Sequence, residues 1–267
     1  MKTLIKNGLV VDPANLVQTH LNLLLEDGKI VAVTEEEPEA DRVIDAAGKV
    51  VAPGFIDIHM HEDPVKDDKI QFCIFDAMLR MGVTTAVGGN CGINVYDPVK
   101  YLDLLERDGA PVNVMMFAGH QYYREAAGAL DKYSPVTEEQ RKMMKKGLEE
   151  ALEAGCVGIS YGLRYVPGTG REEFLDTASC CQKEHRLISA HVRDDEERVF
   201  GAVAEVAEAG KIFDIPVEIS HIGSMAGFGQ MEQLLKQVDG YRMNGMDITC
   251  DCYPYFAFST RIGATTY

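Results

Sequence analysis

Ala52-Pro53-Gly54-Phe55-Ile56-Asp57-Ile58-His59-Met60-His61 is the stretch on which the reading of this chain turns. Pro53 and Gly54 punctuate the backbone, and an apolar run with period-two character follows. The run closes on His59 and His61. On an extended strand, residues two apart project to the same side, so both imidazoles aim at one point. Two neutral imidazoles converging at a strand end suit a divalent metal. A histidine on an apolar strand also serves as a core residue, and an H-x-H pair arises by chance. The pair alone leaves both readings open.

Downstream, the chain alternates apolar strands with helix-sized polar segments. Strands are expected at 55–59, 83–88, 112–117, 157–160, 187–191, 217–221 and 247–251, with amphipathic stretches between them, such as 70–81, 137–154, 172–184, 196–213 and 231–243. This alternation points to a parallel α/β sheet, and seven repeats favour a TIM-like (β/α)8 barrel over an open sheet. Upstream, residues 1–50 read as short strands at 3–5, 9–11, 21–25, 30–33 and 42–45, with Asp27-Gly28 as a hairpin turn. Gly48-Lys49-Val50-Val51 is read as leading into the first barrel strand. The expected organisation is a small β domain over 1–52 and the barrel over 53–267. An eight-stranded barrel needs one strand more than the seven counted, so the chain is expected to be incomplete at its C-terminus.

With 267 residues, 46% of them apolar, the chain can bury a sizeable core. The formal net charge of −16 argues against a nucleic-acid partner, because phosphate binding needs clustered Lys and Arg. Seven scattered cysteines form no disulfide framework, which favours a reducing cytoplasm. The N-terminus has no long apolar segment of a secretory signal, and no apolar run is long enough to span a bilayer. A soluble, cytoplasmic protein without a membrane partner is expected.

Chemistry in such a barrel collects where the strands end. Strand one ends in His59 and His61, strand two in Gly88-Gly89-Asn90-Cys91-Gly92, strand three in Gly119-His120, strand five in Ala190-His191-Val192-Arg193 and strand six in Ser220-His221. Five of the seven histidines fall there, and only His20 and His185 fall elsewhere. That concentration favours metal over core packing. His191, His221 and a Cys91 thiolate make a Zn²⁺ donor set with an open position. A free cysteine is commonly a small buried hydrophobe, but the flanking glycines, which let backbone turn sharply beside an ion, tilt Cys91 towards ligand. Cys180, Cys181, Cys250 and Cys252 are read as core residues.

H-x-H after A-P-G-F-I-D resembles the amidohydrolase superfamily. Within it, Gly89-Asn90-Cys91-Gly92, Gly119-His120 with Arg124, Gly162-Leu163-Arg164-Tyr165-Val166-Pro167-Gly168, Ala190-His191-Val192-Arg193 and Asp251-Cys252-Tyr253-Pro254-Tyr255 resemble the D-aminoacylase (N-acyl-D-amino-acid deacylase) family along the whole chain. The resemblance implies a metal-dependent hydrolase barrel with a small N-terminal β-sandwich portion that segments from the C-terminus complete. It implies that Cys91 takes the place of the carboxylated lysine found on strand four of hydantoinases, since no lysine lies between Lys146 and Lys183. His191 and His221 would complete one tight Zn²⁺ site, and His59 and His61 would line a second, weaker one. Tyr253 and Ser259 match the family's positions for the substrate carboxylate, with Arg193 a nearby cation. Packing around Pro254 is the alternative for Tyr253 and Tyr255, and a salt bridge within the following acidic run is the alternative for Arg193. Two departures stand out. Gly223 replaces a lysine common in the family, and the general-base aspartate that closes strand eight is expected beyond Tyr267.

The expected function is zinc-dependent hydrolysis of N-acyl-D-amino acids to a carboxylic acid and a D-amino acid. The rivals are a dihydroorotase- or hydantoinase-like cyclic amide hydrolase and a truncated barrel that only binds metal. The expected partner is a small N-acyl amino acid, and self-association into a homo-oligomer stays open. Residues 1–267 alone are expected to be poorly soluble and inactive.

Overall fold

Strand β1 (Lys2–Asp12) is long enough to organise the N-terminal residues around it. It pairs antiparallel with β2 (Val17–Glu26), which turns back into β3 (Lys29–Thr34) through Asp27-Gly28. Both turn residues have positive φ, 49° and 78°, the geometry that matches a two-residue turn to the twist of its strands. β4 (Arg42–Asp45) and β5 (Val50–Val51) lie parallel to β1. The two short strands expected at 3–5 and 9–11 are one strand, with a register shift between Ile5 and Gly8. A side chain at Gly8 would meet Val51 Cγ2 at 2.5 Å, so glycine is required where β5 comes alongside. Val50-Val51 therefore belongs to this sheet, where sequence reading made it the approach to the barrel. Two valines read equally well as either.

The computed structural model describes residues 1–259, in two compact units, Met1–Phe55 and the residues from Ile56 onward. From Phe55 the chain runs β6 (Phe55–Asp57), the small hairpin β7 (Val65–Lys66) and β8 (Lys69–Ile70), then α1 (Ile74–Arg80), β9 (Val83–Gly88), α2 (Pro98–Asp108), β10 (Asn113–Gly119), α3 (His120–Ala126) and α4 (Glu138–Glu153). It continues with β11 (Gly158–Gly162), α5 (Arg171–Ala178), β12 (Leu187–His191), α6 (Val199–Phe213), β13 (Val217–Ile219), α7 (Ile222–Met225), α8 (Met231–Met243) and β14 (Ile248–Cys250). The sheet order is β14-β13-β12-β11-β10-β9-β6, which is sequence order, and the pairs from β9 to β14 are parallel. The sheet curls. His59, just past β6, lies 3.1 Å from Asp251, just past β14, although β6 and β14 stand at opposite ends of the row. Seven parallel strands in sequence order, alternating with helices and curled in this way, are those of the expected TIM-like α/β barrel.

Apolar spacing makes the elements. Met144, Leu148, Ala151 and Leu152 form the buried stripe of α4, spaced as one face of a 3.6-residue helix. Thr137 caps it, with Gln140 reaching back to complete a capping box. The strands bury both faces, as in a parallel sheet covered by helices, with Met116, Phe117, Ile159 and Ile188 fully buried.

Candidate metal centre

The histidine pair does not sit on strand one. β6 stops at Asp57, and His59-Met60-His61 follows it as irregular backbone. Asn90 fixes this segment, its side-chain amide donating to the carbonyls of Ile58 at 3.1 Å and Met60 at 3.4 Å. His59 is half-buried and His61 exposed.

Cys91 sits on the tight loop after β9, with φ 56° between Gly89 at 77° and Gly92 at 76°. The backbone here has no room for side chains. A Cβ on Gly89 would collide with the Phe117 carbonyl, and one on Gly92 would meet the Gly162 nitrogen at 2.8 Å. The glycines flanking the cysteine thus let the loop press against β10 and β11 while turning the thiol inward.

Three imidazoles face that thiol. Cys91 Sγ is 3.5 Å from His59 Nε2, 3.6 Å from His221 Nε2 and 3.9 Å from His191 Nδ1. Two groups of three donor atoms, His59-His61-Cys91 and Cys91-His191-His221, each lie within 4.8 Å of one another. A tetrahedral zinc with bonds of about 2.3 Å to sulfur and about 2.0 Å to nitrogen spaces those atoms about 3.5 Å apart. The donor set fits such an ion in both spacing and chemistry.

Electrostatics set the candidate donors apart. Burial, helped by neighbouring imidazoles, pushes His191 down to about 2 and His221 to about 4, so both rings are neutral and present lone pairs. Burial, with Asp251 and Glu218 nearby, pushes the Cys91 thiol up, so it keeps its proton until a cation displaces it. His221 Nδ1 meets Ser224 Oγ at 3.1 Å, which turns Nε2 towards the thiol.

Asp251 is the site residue that sequence reading missed. Its carboxylate pairs with His59 Nδ1 and accepts the His221 backbone N–H at 2.6 Å. Burial alone would raise it, but hydrogen bonds to His59 and other neighbours outweigh that and hold it below the usual carboxylate range. Its signal in the sequence is an aspartate closing strand seven, and aspartates are too common to stand out as histidine and cysteine do. Beneath it Glu218, on β13, accepts from Ser189 Oγ at 2.6 Å and Ser220 Oγ at 3.1 Å; burial and the Asp251 charge raise its carboxyl well above the usual range.

The remaining expected residues lie as follows. His120 opens α3 outside the donor groups and is buried against Glu173 at 2.9 Å. Arg193 forms a bidentate pair with Glu205 and donates to the Thr169 carbonyl. Tyr253 is half-buried with its ring stacked on Tyr255, and Ser259 is exposed. A side chain at Gly223 would meet Cys252 Sγ at 2.6 Å, so Cys252 occupies the space a lysine there would need. The general-base aspartate expected beyond Tyr267 lies outside the described residues. Among the described residues no helix is long and apolar enough to cross a membrane.

The profile of an amidohydrolase family matches residues 42–163. The D-aminoacylase of Alcaligenes xylosoxydans xylosoxydans is 30% identical over 287 residues, covering 97% of this chain and 58% of that protein. Among solved structures, an N-acyl-D-glutamate deacylase from Bordetella bronchiseptica, complexed with zinc and a phosphonate mimic of the tetrahedral intermediate, matches with a TM-score of 0.85 at 29% identity, over 95% of this chain and 58% of that one. A D-aminoacylase with a binuclear metal centre matches with a TM-score of 0.84 at 27% identity and the same coverage. The chain spans somewhat more than half the length of these relatives.

Proposed function

We propose that this chain is an amidohydrolase that carries the metal centre of a zinc-dependent hydrolase, one that cleaves the amide bond of N-acyl-D-amino acids and releases a carboxylic acid and a D-amino acid; the profile match over 42–163 and the likeness to a D-aminoacylase support it. The observation that carries this reading is the convergence of Cys91, His191 and His221 at zinc-like spacing, with His59 and His61 completing a second group on the same thiol. We assign the tight Zn²⁺ site to the first three and a weaker site to His59, His61 and Cys91.

Zinc bound there supplies Lewis-acid polarisation of an acyl carbonyl and makes water acidic enough to lose a proton near neutral pH. The chain's own groups do the rest. His191 and His221 offer unprotonated rings, Cys91 gives up its proton to become the anionic ligand, and Ser224 and Asp251 fix which ring nitrogens of His221 and His59 face the centre. A substrate carboxylate approaching so acidic a chain needs local donors. Tyr253 and Ser259 are assigned that task. Arg193 is assigned an accessory role, since Glu205 and backbone carbonyls already engage its guanidinium. Strand β11 reads Gly-Ile-Ser-Tyr-Gly, without the lysine on which a hydantoinase-like centre depends, and this favours the deacylase over the cyclic-amide rival.

Amine release from matched N-acetyl-D- and N-acetyl-L-amino acids, beside ring opening of dihydroorotate, tests the reading on zinc-loaded full-length protein. Faster release from the D series is expected. Faster L turnover or ring opening overturns it, and zinc uptake without any turnover supports the metal-binding rival.

A further inference from the structure

Glu62 directly follows His61, yet its side chain belongs to another segment. It is 3% exposed, and its carboxylate accepts from the backbone N–H of Gly89 at 2.9 Å, the backbone N–H of Val95 at 3.0 Å and the Asn94 side-chain amide at 3.4 Å. Among the described residues its hydrogen-bond donors all lie on the loop 89–95, the loop that carries Cys91. A carboxylate taken out of water is costly unless its lone pairs are met, and here they are met at the two ends of one loop.

The loop needs such a clasp. Three of its residues, Gly89, Cys91 and Gly92, have positive φ. A left-handed conformation is costly for a non-glycine residue such as Cys91 and persists only where its surroundings over-determine it. Successive N–H groups in a turn of this kind form a concave site for an anion. Glu62 supplies that anion from within the chain. Asn90 ties the same two segments from the other side, through the Ile58 and Met60 carbonyls.

We propose that Glu62 is a positioning residue of the metal centre: its buried carboxylate binds the Cys91 loop to the His59–His61 segment and so sets the separation of the thiol from the histidines. Its carboxylate acts through the backbone of the Cys91 loop, and its own backbone continues from His61. The inference rests on the reading of these residues as a metal centre.

The test is a Co²⁺ titration of the metal-free full-length protein, followed by thiolate-to-cobalt charge-transfer absorbance, for wild type, Glu62→Gln and Glu62→Asp, with circular dichroism reporting the fold. The first variant sets an amide donor against a backbone N–H. The second keeps the carboxylate and shortens its reach by one methylene. Wild type is expected to show the thiolate band. Glu62→Gln is expected to bind Co²⁺ on the order of 10- to 100-fold more weakly, with a weakened band and an unchanged fold, and Glu62→Asp to fall between. A folded Glu62→Gln with wild-type affinity and band overturns the proposal. If that variant does not fold, Glu62→Asp decides by the same criterion. Absence of the band in wild type strikes the metal reading itself and leaves no centre for Glu62 to position.

Discussion

Cys91 is the residue on which both donor groups depend, because its sulfur is common to them. Replacing it removes the one thiol from a set whose other members are histidines. Cys91→Ala is therefore expected to lose zinc through gel filtration, while wild type retains about one ion per chain, as read by elemental analysis; equal zinc in both would remove Cys91 from the ligand set. Asp251→Asn should weaken a second ion bound through His59, whose Nδ1 the carboxylate meets, and should spare the tight ion, because the amide oxygen can still accept the His221 backbone N–H. The proposed ligands stood out in the sequence because histidine and cysteine are scarce, and five of seven histidines expected at strand ends is conspicuous. Asp251, Glu218 and Glu62 were not. The chain has 42 acidic residues, nearly all expected in water, and only the tertiary fold singles out the few that are buried.

At the scale of elements, a buried ionic network ties α3 to α5 and to the loop before α4. Glu173 Oε1 accepts from His120 Nε2 and from Arg124 Nε at 3.2 Å, while Arg124 also donates to the carbonyls of Ala129, Asp131 and Ser134. Removing one partner from such a network strands a buried charge. Arg124→Met is expected to cost about 3–5 kcal/mol, read from the urea midpoint. Lys142→Ala, which breaks an exposed pair with Glu138, should leave that midpoint in place. Sequence periodicity placed β9, β12 and α8 at their observed bounds, since each is a run of one clear period between breakers. It placed His120 at a strand end beside the candidate ligands, but the chain turns straight from β10 into α3 and carries the ring to Glu173. No local pattern distinguishes a strand-end histidine that faces the centre from one that faces a helix.

For the whole molecule, the buried titratable groups under the metal centre set how the metal-free protein responds to acid. His191 and His221 are held at about 2 and about 4, mainly by burial, whereas in the unfolded chain each titrates near 6.5. Below pH 6.5 the unfolded chain thus binds two protons that the folded one refuses. This stability is present above about 6.5 and is lost as pH falls towards 4. Glu218 works in the opposite sense. Burial and the Asp251 charge raise its carboxyl, so the folded chain keeps a proton that the unfolded chain releases above about 4.5, and that stability is lost as pH rises. Between pH 4.5 and 6.5 the two imidazoles outnumber the one opposing carboxyl, so the protein is weaker in acid. Glu218→Gln removes the opposing proton. Unfolding of metal-free wild type and Glu218→Gln across this range should therefore show both losing stability in acid, the variant on the steeper slope. Parallel lines would mean that Glu218 shares its proton with the unfolded state and is ionised beneath the site. Zinc at neutral pH should raise both melting temperatures, since the ion binds a donor set that exists only when the strands are assembled.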